Sequence, residues 1–184
     1  MGYFCFGPMG YTAKAIANYF LAHYGKKGIS PLKLQKLIYI AHGWHLAIQE
    51  KPLVDDEFAE AWQFGPVFPS IYHEFKSFGS NPIPANERAK ELRSDFNQEP
   101  PVFTWETPMI RENDKETPAL LDRVWEVYSK YTASELSALT HQEGTPWHTV
   151  WNENPGMKNM HIENDEIKKY YKRLSEQRND NGET

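Results

Sequence analysis

The sequence predicts a mainly α fold: a compact single domain that carries one small β-hairpin element. Three observations lead there. Five or six stretches join an N-capping residue to apolar residues at helical spacing. Alternating apolar/polar runs are few and short. At 184 residues the chain suits one domain, since roughly 150 residues bury about 70% of their unfolded surface.

The opening MGYFCFGP is apolar but too short to fold alone, so residues 1–11 are predicted as an N-terminal arm. The domain is expected over 12–176. Thr12 is a good N-cap for a helix to about Tyr24, with Ile16, Phe20 and Tyr24 on one stripe and Gly25 just past its end. Ser30 as N-cap and Pro31 at the first helical position start a second helix. Its Leu34, Leu37, Ile38, Ala41, Trp44 (or His45) and Ile48 follow the helical period. Leu53-Val54 and Glu60 to Phe64 are expected to pair as a hairpin around Asp55-Asp56, with a helical turn from Phe58 to Trp62 as the alternative. Gly65-Pro66 is expected to break that run before a helix holding Val67, Ile71, Tyr72, Phe75 and Phe78, closed by Gly79.

The stretch from Pro82 to Arg111 carries the weakest signals: a charged, helix-compatible segment over Asn86 to Arg93, then Pro100-Pro101 and a short strand over Val102 to Trp105. Thr117 and Pro118 repeat the cap-and-proline signal for a helix with Leu121, Val124 and Tyr128. Thr132 and Glu135 form a capping box that opens a helix to about His141. Thr145-Pro146-Trp147 starts another, which Asn154-Pro155 ends. Asn164 is expected to cap the last helix, and 177–184 reads as a flexible polar tail.

Composition excludes several classes. The 20 Lys and Arg are outnumbered by 25 Asp and Glu, and they are scattered, so nucleic acid is not the expected partner. Lys168-Lys169 with Lys172-Arg173 read as a solvated helix face. A DNA-binding autoregulator is the reading this balance disfavours. The single cysteine, Cys5, allows no internal disulfide and fits a reducing cytoplasm. No run approaches the roughly 18 apolar residues of a membrane span, and no secretory signal is visible.

No serine sits in a nucleophile elbow, no glycine cluster forms a phosphate cradle, and Cys5 lacks a base. His42 and His45 stand at i, i+3. His141 and His148 flank Gly144 beside Glu143. Neither pair has a full ligand set in view, so a metal-dependent hydrolase on these four histidines is only the alternative. No catalytic residue, metal or cofactor is expected. Aromatics make up 14% of the chain, with 6 Trp, 10 Tyr and 10 Phe. Trp62, Phe64, Pro66 and Phe68 crowd one turn, and Trp147 and His148 crowd another. Core packing explains most such residues, but Trp and Tyr are also enriched at binding hot spots.

Three ordered blocks resemble a known family. They are Leu34-Gln35-Lys36-Leu37-Ile38-Tyr39 running on to His42-Gly43-Trp44-His45, then Glu60-Ala61-Trp62-Gln63-Phe64-Gly65-Pro66-Val67 with Tyr72 and Phe75, and Glu135-Leu136 through Thr140-His141 to Pro146-Trp147. Together they resemble the Panacea antitoxin domain, the family of SocA-type antitoxins and GepA-like phage-associated proteins. The resemblance implies an antitoxin that neutralises a cognate protein toxin, encoded nearby, by direct complex formation. It also implies, as an alternative, a proteolytic adaptor that delivers the toxin to a AAA+ protease. The family brings no catalytic residue to these positions. If the three blocks converge, Trp44, His45, Trp62, Phe64, Pro66, Phe68, Trp147 and His148 form one aromatic-lined partner surface.

Overall fold

The computed structural model describes residues 10–180. The fold is mainly α, with seven α-helices and two small antiparallel sheets among these residues. Thr12 accepts the Ala15 N–H and starts α1 (Ala13–Tyr24). Gly10 and Tyr11, expected in the arm, are part of the domain. The Gly10 N–H donates to Asp55, and Tyr11 is buried and forms a parallel bridge with Val54. The remainder of the predicted arm, including Cys5, lies outside the described residues.

Ser30 and Pro31 open α2 (Pro31–Gln49) as the cap signal predicts, and Glu50 in the left-handed conformation ends it. The single apolar stripe expected for this helix is not what the fold uses. α2 is buried without interruption from Leu34 to Gly43, while Ile48 is exposed. It is the central helix, packed against α1, the second strand, and four later helices. Burial all round puts Gln35, Lys36 and His42 inside the core. Each is tolerated because it hydrogen-bonds there, as buried polar groups must. At Gly43 a Cβ would stand 2.1 Å from the Tyr171 ring, so only glycine admits that ring against the helix backbone.

The hairpin is shifted from its expected position. β1 (Ala59–Trp62) pairs with β2 (Gly65–Val67), Trp62 opposite Gly65, so Gln63 and Phe64 form a two-residue turn. Gly65-Pro66 is therefore strand, not a break. The glycine has φ +100, and a Cβ there would lie 2.7 Å from Lys36 Nζ. α3 (Pro69–Phe75) follows, starting two residues after Val67.

The segment read as helix-compatible holds no helix: residues 86–90 are turn and coil, and a strand starts at Glu91. β3 (Glu91–Asp95) pairs with β4 (Val102–Glu106) as an isolated antiparallel ribbon. α4 (Glu116–Tyr128) starts before the predicted Thr117 because Asp114 does the capping. Its carboxylate accepts the N–H of Glu116 and of Thr117, both at 3.0 Å. Tyr19 and Tyr24 both donate to Asp122, at 2.7 and 2.6 Å, and fasten α1 to α4. The Thr132–Glu135 capping box opens α5 (Ala133–Thr140), and Thr145 caps α6 (Pro146–Glu153). β5 (Met160–Ile162), which no sequence signal marked, joins the free edge of β1. α7 (Asn164–Asp180) runs into the segment expected to be a loose tail and packs along α2. No described helix is long and apolar enough to cross a membrane.

Candidate functional site

The β1–β2 hairpin is held by side chains from three helices, and each takes a backbone carbonyl on the same run. Trp147 Nε1 donates to the Trp62 carbonyl at 2.8 Å, and the Ser137 hydroxyl to that of Phe64 at 2.7 Å. Lys36 Nζ donates to the Pro66 carbonyl at 2.9 Å. The Gln35 amide donates to the Phe68 carbonyl at 3.0 Å and accepts the Phe68 N–H at 2.9 Å. Alternate carbonyls at 62, 64, 66 and 68 are thus all tied to α2, α5 or α6. This fixes the turn relative to the core, so little conformational entropy remains to be lost when it docks.

Lys36 is the unusual member of this set, being 0% exposed. Its pKa is lowered to about 7 by burial. Desolvation disfavours the ammonium, and its hydrogen bond to the neutral Pro66 carbonyl does not compensate. Above the clamp, Leu32, Gln35, Trp62, Phe64, Val67 and Tyr72 line a mostly apolar groove of about 460 Å³. Phe64 at the turn is 63% exposed, and Tyr72 packs edge-on against Trp62 at 4.8 Å. A second depression of about 300 Å³ lies across the Trp62-Gln63 ridge, between Ala61, Trp151 and Met157.

The eight residues expected to form one surface separate into five settings. Trp62 and Phe64 line the groove. Trp147 is buried behind them and bonds the Trp62 carbonyl, so the two aromatic blocks do meet, by way of the backbone. His148 follows it, half-buried in the first turn of α6. Pro66 and Phe68 are buried, Phe68 fully, and serve as floor rather than as surface. Phe68, between β2 and α3, meets the His42 ring edge-on at 5.8 Å. Trp44 instead packs against Tyr171 and donates to the Tyr128 hydroxyl at 3.3 Å. His45 faces a polar cleft with Tyr11, Arg111 and Asp114. Sequence reasoning missed Leu32 and Tyr72 as groove-lining residues. Leu32 lies two positions before Leu34 opens the predicted stripe of α2, and Tyr72 is expected only as a position of the following helix.

The histidines do not converge. His42 Nδ1 accepts the Val54 N–H at 3.2 Å, which fixes the proton on Nε2, and Nε2 donates to Asn164 Oδ1 at 2.9 Å. Both nitrogens are committed, and burial pushes the pKa down to about 4 despite the Asn164 bond. His42 is therefore a neutral strut between α2, the residue-54 segment and α7. His45 Nδ1 bonds the Lys51 carbonyl at 2.7 Å. His141 stacks on Trp147 with centroids 3.8 Å apart. Among the described residues no group of three or more His, Cys, Asp or Glu stands close enough to share a metal.

The run that builds the clamp, Gln35 and Lys36 through Trp62 to Trp147, coincides with a shared sequence pattern. The pattern described as "Antitoxin SocA-like, Panacea domain" matches residues 34–148. The chain belongs to this family. It is 34% identical over 149 residues to Antitoxin SocA of Caulobacter vibrioides (strain NA1000 / CB15N), covering 79% of this chain and 73% of that protein. No solved structure matches. In this Panacea-domain chain the matched residues run from the first turn of α2 to the start of α6. They take in the whole of the hairpin and its four clamps, and leave β5 and α7 outside.

Proposed function

We propose that this chain is an antitoxin that neutralises a cognate protein toxin by holding it in a direct complex, with the groove beside the β1–β2 turn as the contact. The observation that carries this reading is the combination at Phe64. Its side chain is 63% exposed while its backbone carbonyl is bonded to α5. A large aromatic held out from a fixed backbone beside an apolar groove has the character of an interface anchor, not of a stranded core residue. The contact set is Trp62, Phe64 and Tyr72, with Leu32 and Val67 as the groove wall. Pro66, Phe68 and Trp147 act from beneath, by fixing the shape.

Co-expression with the toxin encoded beside this gene is the test, scored by growth rescue and co-purification. The wild type rescues growth and recovers a stoichiometric complex. Phe64→Ala with Tyr72→Ala loses both while keeping its melting temperature. A complex that survives this double change with unaltered affinity removes the groove from the interface. Rescue that vanishes in a host lacking its AAA+ proteases replaces stoichiometric blocking with delivery for degradation.

A further inference from the structure

The groove beside the β1–β2 turn has one charged residue in its lining, Lys76. It follows directly on α3, one turn after Tyr72, whose carbonyl accepts the Lys76 N–H. Lys76 is exposed, and its ammonium has no ion-pair partner among the described residues. The chain as a whole is acidic, with 25 Asp and Glu against 20 Lys and Arg, so the sign at this rim runs against the background. Acids on the flanking elements α3 and β1 are committed elsewhere. Glu74 pairs with Lys14, and Glu60 accepts the Trp62 indole N–H at 2.7 Å. Neither lines the groove.

The backbone beside the groove offers nothing for strand addition. Gly65 and Val67 pair with Trp62 and Glu60 of β1. Pro66 has no N–H, and its carbonyl accepts from Lys36. The Phe68 N–H donates to Gln35, and the Phe68 and Phe64 carbonyls accept from Gln35 and Ser137. A partner seated here is therefore read through its side chains and not added as a strand. Volume sets how many enter. A cavity of about 150 Å³ accommodates benzene, so a groove of about 460 Å³ has room for two apolar side chains.

We propose that the toxin segment seated in this groove presents two apolar side chains to it and, beside them, an Asp or Glu carboxylate that meets the Lys76 ammonium. This rests on the groove being the toxin contact, and it adds the chemistry of the segment that the groove takes. Docking removes water from the apolar wall, which strengthens the attraction beyond that of a pair left in solvent. The rim also discriminates. A neutral segment leaves the ammonium unpaired at a drying edge, and a basic one meets like charge. The competing role for Lys76 is local, since a cation just past a helix end favours the dipole of α3.

The test uses the full-length chain and the purified toxin, with affinity measured by titration calorimetry. Lys76→Met weakens binding by about fivefold and Lys76→Glu by at least about thirtyfold, both at the wild-type melting temperature. Raising the salt from about 0.05 to 0.5 M narrows the gap between the wild type and Lys76→Glu. Carbodiimide treatment of the wild-type complex couples Lys76 to an Asp or Glu of the toxin with loss of water. Changing that acid to Lys restores binding to Lys76→Glu. The groove reading and this one fail separately. If Phe64→Ala with Tyr72→Ala leaves the affinity unaltered, the groove is not the contact and both fall. If that double change abolishes binding while Lys76→Glu and Lys76→Met bind as the wild type does, the groove stands and the acidic segment is overturned. A lowered melting temperature in Lys76→Glu with unchanged affinity assigns the residue to the helix end instead. A cross-link from Lys76 to the toxin's C-terminal carboxylate overturns the side-chain acid.

Discussion

The molecule contains two antiparallel hairpins of similar size, and they are held in opposite ways. β1–β2 has its carbonyls tied to three helices, and β5 extends its sheet. β3–β4 is paired only with itself. Both begin or end at a residue clipped by a buried amide. Gln35 clips Phe68 after β2, and Asn18 clips Ala89 before β3, donating to its carbonyl at 3.0 Å and accepting its N–H at 2.8 Å. Asn18 also donates to the Pro108 carbonyl, so one side chain gathers both feet of the ribbon. Beyond its feet, the ribbon carries Leu92 opposite Trp105 and Ser94 opposite Phe103 on one face. Phe103 is 58% and Trp105 68% exposed. Salt bridges from Arg93 to Glu91 and Glu106 occupy the other face. The most exposed aromatics among the described residues thus occur in two places, once on a fixed backbone and once on a two-stranded ribbon of marginal intrinsic stability. Only the first is pre-organised for binding.

Titrating the clamp tests that contrast most severely. Lys36 has a folded pKa of about 7 against about 10.4 when unfolded, so the unfolded chain binds more protons between these values. The folded state is therefore at its greatest disadvantage below pH 7 and gains stability as pH rises toward 10.5. The gain is up to about 5 kcal/mol at 1.36 kcal/mol per pKa unit. Comparing the unfolding free energies of the wild type and Lys36→Met across pH 6 to 10.5 isolates this contribution. The wild type gains on the variant over that window. A difference that stays flat means Lys36 is charged and compensated in the fold.

Phe68→Ala comes next. Removing a fully buried ring beneath the hairpin costs about 3–5 kcal/mol of stability, measured by denaturant unfolding. A loss below 1 kcal/mol would show that the groove floor is not part of the cooperative core.

The amide clips give the third test. Gln35→Leu strands the Phe68 N–H and carbonyl, and Asn18→Leu strands both groups of Ala89. At about 1–3 kcal/mol for each unsatisfied group, the direct penalties are similar. Their reach differs. Gln35→Leu lowers the global unfolding free energy, whereas Asn18→Leu mainly abolishes hydrogen-exchange protection in 91–106, because the ribbon can open without the rest. Equal loss of protection throughout the chain in both variants would erase the distinction between the hairpins.

Four helix starts were readable because each is a local device. Thr12, Ser30, Thr132 and Thr145 cap where their side chains suggest. The strands were not, since β5 is three residues long and gains its partner from a segment about a hundred positions earlier. Lys36 could not be recognised as buried, because its bond to the Pro66 carbonyl joins residues 30 positions apart and has no local signature. For the site, the sequence posed the meeting of the Trp62 and Trp147 blocks only as a condition, which the Trp147 bond to the Trp62 carbonyl meets. The separation of Trp44 and His45 from that surface was not legible in the sequence. They are adjacent on α2, but helix rotation sends one toward α7 and the other toward Tyr11 and Asp114. The short strand expected over Val102 to Trp105 is β4, with Phe103 and Trp105 on one face. Nothing in the sequence signalled that the face would stay uncovered among the described residues.

The smallest expected effect belongs to the ribbon. Trp105→Thr keeps a residue suited to strands and removes a side chain that is already 68% exposed, so stability changes by no more than about 0.5 kcal/mol. Toxin affinity changes less than with Phe64→Ala, for which a hot-spot loss of about 2 kcal/mol or more is expected. The reason is the backbone beneath each ring. A partner that grips Trp105 must also restrain a ribbon tied down only at its feet, and that ordering offsets part of the contact energy. Titration calorimetry of the two single variants against the same toxin decides the ranking. If Trp105→Thr weakens binding more than Phe64→Ala, the unanchored hairpin is the principal contact, and the clamped groove serves the fold.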